Sequence, residues 1–191
     1  MRTSESDPIR VDFLPREACP APGRIGLTFA PGKKDRPGGW DRSVEADVAR
    51  LADHYGTSLL VSLIEDAELE LLHIQDLYGV AERHGVRVRR LPIRDADVPR
   101  SPEEVIAVVR LVLTVASAGD TVVIHCRGGL GRAGTLASCC LVALGLDAGE
   151  AIGIVRGARP GAVETRGQVR FVDDFARAWG SAHSTALPPL G

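Results

Sequence analysis

The sequence predicts an α/β fold: a single domain with a mainly parallel central sheet flanked by helices on both faces. Along the 191 residues, short segments suited to strands alternate with segments of helical periodicity. Parallel strands require a crossover between them, usually a helix, so this alternation favours a parallel sheet. Hydrophobic residues make up 45% of the chain, which suits a core of ordinary size.

Four segments are predicted as strands. The first covers Arg24–Phe29. Residues 58–64 form an almost continuous apolar run, as expected for a strand covered on both faces. Residues 86–91 alternate apolar and arginine side chains, and residues 121–125 lead into a glycine-rich turn. The last of these strands therefore presents that turn at its carboxyl end, where open α/β sheets bind ligands.

Helix signals fill the intervals between the strands. Ser43 is a plausible N-cap with acidic residues in the following turn. Residues 65–85 are predicted to be helical, in one piece or two. Ser101, Pro102 and Glu104 together form the start signal of the next helix. Three further helices are expected over residues 133–144, 148–156 and 168–179.

The ends of the chain differ from its middle. Residues 1–24 are polar and proline-rich, which predicts a loosely ordered arm. Residues 25–180 form the predicted domain, and residues 181–191 are expected to be a flexible tail. No internal repeat or second domain is indicated.

Composition restricts the partners and the compartment. A net charge of −2 argues against general binding to nucleic acid or a membrane surface. No apolar run reaches about 18 residues, so no membrane span is expected, and no secretory signal is visible. The cysteines show neither metal-ligand spacing nor a disulfide framework, so we expect a reduced, cytoplasmic protein without metal or cofactor. The four are Cys19, Cys126, Cys139 and Cys140. The sequence does not predict an oligomeric state.

The glycine-rich turn begins at Cys126 and ends at Arg132, with five residues between them, three of which are glycine. Glycines allow successive backbone N–H groups to converge on one point. The following helix adds its free N–H groups and the positive end of its dipole. These features predict a cradle for a phosphate dianion. Its members are Arg127, Gly128, Gly129, Leu130, Gly131 and Arg132.

Cys126 lies at the floor of this predicted cradle, where positive potential favours thiolate over thiol. Free cysteines ionise near pH ~8.5, whereas those at helix N-termini beside cations ionise at roughly pH 3.5–7.5. Arg132 can hold two phosphate oxygens with its planar guanidinium. The turn therefore predicts a nucleophile directed at phosphorus. A merely packed cysteine would leave Arg132 and the glycines unexplained.

A thiolate that attacks a phosphate ester needs an acid to protonate the leaving oxygen. The segment between Pro92 and Pro99 carries two candidates, Asp95 and Asp97. The residues alone leave the choice between them open.

The segment His125-Cys126-Arg127-Gly128-Gly129-Leu130-Gly131-Arg132 resembles the signature of the cysteine-dependent protein tyrosine phosphatases. It is closest to the dual-specificity branch and, within it, is similar to the kinase-associated phosphatase (cyclin-dependent kinase inhibitor 3-like) group. The resemblance implies a phosphotyrosine-phosphatase-like fold for residues 25–180. It also implies metal-independent hydrolysis of phosphotyrosine, extending to phosphoserine and phosphothreonine esters, through a phosphocysteine intermediate. The expected substrate is a phosphorylated protein or a small phosphate ester.

The resemblance also assigns roles to residues outside the turn. The group's general-acid loop reads Pro-Ile-x-Asp followed by a proline, which residues 92–95 and Pro99 match. Asp95 is therefore the expected general acid. His125 is expected to order the turn and support the thiolate. Gln168, near the end of a late loop over residues 159–168, is expected to border the pocket and help place water.

Two departures from the resemblance leave alternatives open. Ala133 follows the signature arginine where the family commonly has Ser or Thr, whose hydroxyl helps the thiolate leave, and Thr135 is not equivalent. We therefore expect slow breakdown of the phosphocysteine, and a low-turnover pseudophosphatase is one alternative. Arg127 adds a positive charge that suits a phosphoinositide or another small phosphate ester, unless it points away into a salt bridge.

Further alternatives concern cysteine chemistry. A sulfurtransferase or arsenate reductase also uses a cysteine in an anion cradle, but the spacing to Arg132 and the acid loop argue against both. Cys139 or Cys140 could form a protective disulfide with oxidised Cys126 or could be a small core residue.

Overall fold

The computed structural model describes residues 1–184 of the chain, with side chains through residue 182. The strands in this part are β1 (Asp12–Phe13), β2 (Arg24–Phe29), β3 (Lys34–Asp35), β4 (Trp40–Asp41), β5 (Thr57–Ser62), β6 (Arg87–Arg90) and β7 (Thr121–Cys126). The helices are α1 (Val44–Asp53), α2 (Asp66–Leu71), α3 (Leu77–Arg83), α4 (Pro102–Ser117), α5 (Gly131–Ala143), α6 (Ala148–Ala158) and α7 (Arg166–Ser184).

The main sheet has the strand order β1-β2-β7-β5-β6, and β3 pairs with β4 in a separate ribbon. β2, β7, β5 and β6 run parallel, while β1 is antiparallel to β2. The chain crosses the sheet in one direction from β2 to β6 and returns through α4 to β7. Right-handed crossovers therefore put α1 and α3 on one face and α4 with its neighbour α5 on the other. The predicted α/β fold is confirmed.

The register brings the carboxyl ends of three strands to one edge of the sheet. Cys126, the last residue of β7, lies opposite Phe29 at the end of β2. His125 lies opposite Ser62 at the end of β5. The segments that follow these three strands therefore lie close together around the turn after β7. α5 starts from this turn and is buried along nearly its whole length, because it packs among α4, α6 and α7.

The N-terminal segment differs from the expected loosely ordered arm. β1 adds an antiparallel strand to the edge of the sheet, and the Ile9 side chain is fully buried. The buried Arg42 donates hydrogen bonds to the backbone oxygens of Thr3 and Asp7. The scattered apolar residues of this segment are too few to form a periodic pattern, but they cover the sheet edge. Its order therefore depends on contacts with residues distant in sequence.

The opposite end of the chain is only partly described. Residues 181–184, which we expected in the flexible tail, belong to α7. The rest of that expected tail, residues 185–191, lies outside the described residues. Among residues 1–184, no helix combines the length and the apolar character that crossing a membrane requires.

Candidate active site

The signature loop, residues 126–132, curls around the thiol of Cys126. The Gly129 N–H donates to Cys126 Sγ at 3.2 Å. Gly129 has φ +72°, and a Cβ at this position would lie 2.3 Å from the Thr28 carbonyl oxygen, so glycine is required. A Cβ at Gly131 would lie 2.4 Å from Glu164 Oε2. The loop can therefore close tightly against β2 and the later chain, with the Gly129 N–H turned toward the thiol.

Arg132 lies in the first turn of α5 with its side chain buried. It donates to both carboxylate oxygens of Glu68, at 2.6 Å from Nη1 and 2.8 Å from Nη2. Nη1 also donates to the Ile93 carbonyl oxygen at 2.8 Å, and Nη2 donates to Asp95 Oδ1 at 2.8 Å. Burial by itself would lower the pKa of Arg132, but the hydrogen bonds and charge of Glu68, with smaller contributions from Cys126 and Asp95, raise it. The guanidinium is thus held charged beside the loop.

Glu68 is a functional residue that the sequence reasoning missed. It is buried in α2, and its Oε2 accepts the Glu65 N–H as part of a capping box. The available signal was its place in the chain, because α2 begins just after β5, at the sheet edge that carries the signature loop. The acidic start of α2 can be explained by the helix dipole alone, so no local pattern pairs Glu68 with Arg132.

The two candidate acids have different surroundings. The exposed carboxylate of Asp95 contacts Arg132 and accepts the Ala96 N–H at 3.1 Å. The Asp97 carboxylate instead accepts its neighbour's N–H, that of Val98, at 2.8 Å. Asp95, which the resemblance favoured, is therefore the acid brought to the signature arginine.

His125 is fully buried, and both ring nitrogens lack a hydrogen-bonding partner among the described residues. Burial lowers its pKa to about 4, the Cys126 backbone opposes this shift, and the charge of Arg132, the smallest of the three effects, acts in the same direction as burial. His125 therefore carries a neutral ring below the loop at ordinary pH. Its position behind Cys126 agrees with a supporting role but brings no proton donor to the thiol.

Gln168 is fully buried in the first turn of α7. Its Oε1 accepts the N–H groups of Glu164 and Thr165, at 2.9 and 3.2 Å. Its Nε2 donates to the Asp97 carbonyl oxygen at 3.1 Å. Gln168 therefore joins the late loop to the acid loop, residues 92–99, and lies against Gly131 of the signature loop.

Arg127 turns toward a neighbouring acid. Its Nη2 lies 3.5 Å from Asp35 Oδ2, and its side chain is about a third exposed. It lines a cavity of about 640 Å³ together with Lys34 and Arg36. Of the two orientations that the sequence left open, Arg127 adopts the one that forms a salt bridge.

The residues after Arg132 explain why no hydroxyl faces the thiol from this helix turn. Ala133 is fully buried. Thr135, one of the nearest hydroxyl-bearing residues in sequence, donates its Oγ1 to the Gly131 carbonyl oxygen at 2.8 Å. That hydroxyl is committed to its own helix backbone and does not replace the one that Ala133 lacks.

The other cysteines are buried thiols. Cys139 and Cys140 lie inside α5, and burial raises the pKa of both. Burial also raises the pKa of Cys19. All three therefore remain protonated and poorly nucleophilic near neutral pH.

Comparison with known proteins relates this arrangement to a family. Residues 39–172, well over half of the chain, match the family model PTP-SAK, described as "Swiss Army Knife protein, DSP-PTPase phosphatase domain". Cyclin-dependent kinase inhibitor 3 of Rattus norvegicus is 25% identical over 174 residues, covering 90% of this chain and 80% of that protein. Protein tyrosine phosphatase domain-containing protein 1 of Bos taurus is 45% identical over 67 residues, 35% of this chain. The match spans only 8% of the length of that relative.

Solved structures share the fold. A kinase-associated phosphatase with its catalytic-site cysteine replaced by serine matches with a TM-score of 0.83 at 23% identity, covering 91% of this chain and 97% of that one. Tk-PTP in its active form matches with a TM-score of 0.69 at 30% identity, covering 87% and 96%. The resemblance inferred from the signature is thereby confirmed. The chain belongs to the PTP-SAK family of dual-specificity-type protein tyrosine phosphatase domains, cysteine-based hydrolases of phosphate esters.

Proposed function

We propose that this chain hydrolyses phosphotyrosine, phosphoserine and phosphothreonine esters through a phosphocysteine intermediate, without a metal ion. The observation that carries the proposal is the meeting of three groups at one sheet edge. The Gly129 N–H points at the Cys126 sulfur, and Arg132 contacts the carboxylate of Asp95. Nucleophile, anion-binding groups and acid are therefore within reach of one phosphate.

In the first step, the Cys126 thiolate attacks phosphorus, so that the S–P bond forms and the P–O bond to the leaving group breaks. Arg132 and the backbone N–H groups of residues 127–132 hold the equatorial oxygens where negative charge develops. Asp95 gives its proton to the leaving oxygen. Phosphate binding requires Arg132 Nη2 to exchange its bond with Asp95 for one with a phosphate oxygen, which frees the carboxyl for this transfer.

In the second step, water attacks the phosphocysteine. Asp95, now a carboxylate, takes a proton from this water as the P–O bond forms and the S–P bond breaks. Phosphate leaves and the thiolate is restored. Gln168 supports this step by tying the acid loop to the late loop through the Asp97 carbonyl. His125 supports the turn from below as a neutral ring.

A phosphorylated protein is the substrate class that we propose. The alternative of a phosphoinositide rested on Arg127, but this side chain pairs with Asp35, which reduces the charge available for a second phosphate. The pseudophosphatase alternative is weakened because Cys126, Arg132 and Asp95 are all in place. A reducing, cytoplasmic setting follows as part of the proposal, since the nucleophilic thiol must stay unoxidised.

The first test is hydrolysis of para-nitrophenyl phosphate by the wild type and three variants. Cys126→Ser should abolish activity, and Asp95→Asn should lower kcat by roughly 10²–10⁴-fold. Asp97→Asn is the matched control on the same loop and should keep kcat within a few-fold of wild type. Activity that survives in Cys126→Ser would contradict the mechanism.

A substrate panel tests the proposed class. Phosphotyrosine and phosphothreonine peptides should be hydrolysed faster than phosphoinositides in mixed micelles. A higher kcat/KM for the phosphoinositides would overturn the assignment to phosphoproteins while leaving the cysteine mechanism intact.

A further inference from the structure

Arg159 holds the outer side of the signature loop. It is the C-cap residue of α6, where the backbone is extended, and its side chain is largely buried. Nε donates to the Gly129 carbonyl oxygen at 2.5 Å, and Nη2 donates to the Gly128 carbonyl oxygen at 3.0 Å. Nη1 pairs with Asp12 Oδ2 on β1. One guanidinium thus joins two peptides of the loop to the N-terminal strand.

The two peptides held by Arg159 present their N–H groups on the other side. In a trans peptide the C=O and N–H point in opposite directions. The peptide with the Gly128 carbonyl carries the Gly129 N–H, which donates to Cys126 Sγ at 3.2 Å. The next peptide carries the Leu130 N–H, and the positive φ of Gly129 allows both carbonyls to face Arg159 together. Successive N–H groups aligned in this way form an anion-binding concavity.

We propose that Arg159 is a positioning residue for the phosphatase reaction, which aligns the Gly129 and Leu130 N–H groups toward the thiolate from behind the loop. The Arg159 guanidinium does not contact the substrate. It acts through the two peptides. Hydrogen bonding at a carbonyl polarises the peptide and strengthens the N–H at its other end, an effect favoured in a buried site. The loop therefore receives support for its anion-binding side from a residue that never touches the anion.

The proposal extends this support to the N-terminal segment. Asp12 fixes the third nitrogen of Arg159, and β1 places Asp12 opposite Leu27 of β2. The family match covers residues 39–172, so Asp12 lies outside the part of the chain that the family model describes. The N-terminal strand is therefore part of the machinery that shapes the signature loop.

Other charged groups near the Cys126 thiol also affect how its reactivity depends on pH. The charge of Arg132 on α5 acts on Cys126, and the carboxylates of Glu68 and Asp95 oppose it through their bonds to that guanidinium. On the outer side, burial lowers the pKa of Lys33 to about 8, and the charge of Arg159 contributes to the same direction. Replacing Arg159 with an uncharged residue of similar length leaves Arg132, Glu68 and Asp95 in place, but it removes one of the charges that lower the pKa of Lys33.

The test compares Arg159→Met, Arg159→Lys and Asp12→Asn with wild type, and uses Arg10→Met as the matched control. Arg10 is an exposed arginine on the same N-terminal segment, paired with Asp7 at 3.8 Å. Alkylation of Cys126 by iodoacetamide is followed against pH by peptide mass mapping, and kcat/KM is measured in parallel. This inference rests on Cys126 as the nucleophile. The alkylation reports its thiol directly, so it separates failure of the inference from failure of the phosphatase proposal, which Cys126→Ser tests.

For Arg159→Met we expect kcat/KM to fall by about 10- to 100-fold, because small misplacements in a site are costly. The midpoint of the alkylation curve should rise by about half a pH unit to one unit, less than the 1–3 units of a direct ion pair. Asp12→Asn should raise this midpoint by a smaller amount. The midpoint of Arg159→Lys should lie between those of wild type and Arg159→Met. Arg10→Met should match wild type.

An unchanged alkylation midpoint in Arg159→Met would overturn the proposal, since a merely structural tie between α6 and the loop lowers stability without changing thiol reactivity. If Arg159→Met does not fold, Arg159→Lys and Asp12→Asn decide. Midpoints equal to wild type in both variants would overturn the proposal, and a rise in both would support it.

Discussion

Arg132 and Glu68 form a buried two-pronged ion pair, with Nη1–Oε2 and Nη2–Oε1 distances of 2.6 and 2.8 Å. Their side chains are 1% and 9% exposed, so neither charge is compensated by water. The pair fixes the plane of the guanidinium before any phosphate arrives. Such preorganisation lowers the cost of binding the transition state.

Glu68→Gln should therefore lower both stability and activity. Loss of one partner leaves a buried charge, which costs about 3 kcal/mol in the free energy of unfolding, at the lower end of the usual range because Asp95 remains. Misorientation of Arg132 should lower kcat/KM by roughly 10- to 100-fold. Urea unfolding and steady-state kinetics measure the two effects. Glu70→Gln, an exposed change on the same helix, is the control, and equal behaviour of the two variants would refute a role for Glu68.

Gly129→Ala should destabilise the fold far more than Gly128→Ala. Gly129 has φ +72°, which alone costs an alanine about 1–2 kcal/mol, and its Cβ would meet the Thr28 carbonyl at 2.3 Å. A Cβ at Gly128 meets no atom within 4 Å. Urea unfolding of the two variants provides the comparison. Similar free energies of unfolding would show that the loop closes in another way.

The buried His125 predicts loss of stability in mild acid. Its folded pKa is about 4, below the ordinary value of 6.5, so between these values the unfolded state binds more protons than the folded state. Its neutral ring therefore stabilises the fold fully above pH 6.5, and this contribution is lost as the pH falls toward 4. Between pH 6.5 and about pH 5, the loss should amount to about 2 kcal/mol.

His125→Gln removes this titrating group, so its free energy of unfolding should fall less steeply over the same pH range. Denaturant titrations at a series of pH values measure the slope, with the exposed His54→Gln as control. Equal slopes for wild type and His125→Gln would show that His125 does not carry the acid sensitivity.

Ala133 predicts slow breakdown of the phosphocysteine intermediate. Rapid mixing with para-nitrophenyl phosphate should give a burst of nitrophenol followed by a slower steady state. Ala133→Ser restores a hydroxyl beside the thiolate, and a hydrogen bond to a charged group is worth about 1.5–3 kcal/mol, so breakdown should accelerate about tenfold and the burst should shrink. Thr135→Val should leave the burst unchanged, because that hydroxyl bonds to the Gly131 carbonyl. A linear trace from zero time in the wild type would count against slow breakdown.

Local patterns predicted the main elements well. The predicted strand Arg24–Phe29 has the same bounds as β2, and α4 begins at Pro102 as its start signal indicated. The helical region over residues 65–85 is divided into α2 and α3 around His73, whose φ of +52° cannot continue a right-handed helix. Hydrophobic periodicity does not reveal a single left-handed residue, so the division could not be decided from the sequence.

The chemistry of the signature loop was determined by the sequence itself, because the cysteine, the glycines and the arginine lie within one short stretch, residues 126–132, and local geometry alone brings them together. The partners that organise the loop were decided by tertiary structure. Glu68 contacts Arg132 across 64 positions, Gln168 contacts Asp97 across 71, and Arg159 contacts Asp12 across 147. These pairs form because the parallel strands end at a common edge and the packed helices return side chains to it. Periodicity, which reports only which face of an element is buried, does not specify such meetings.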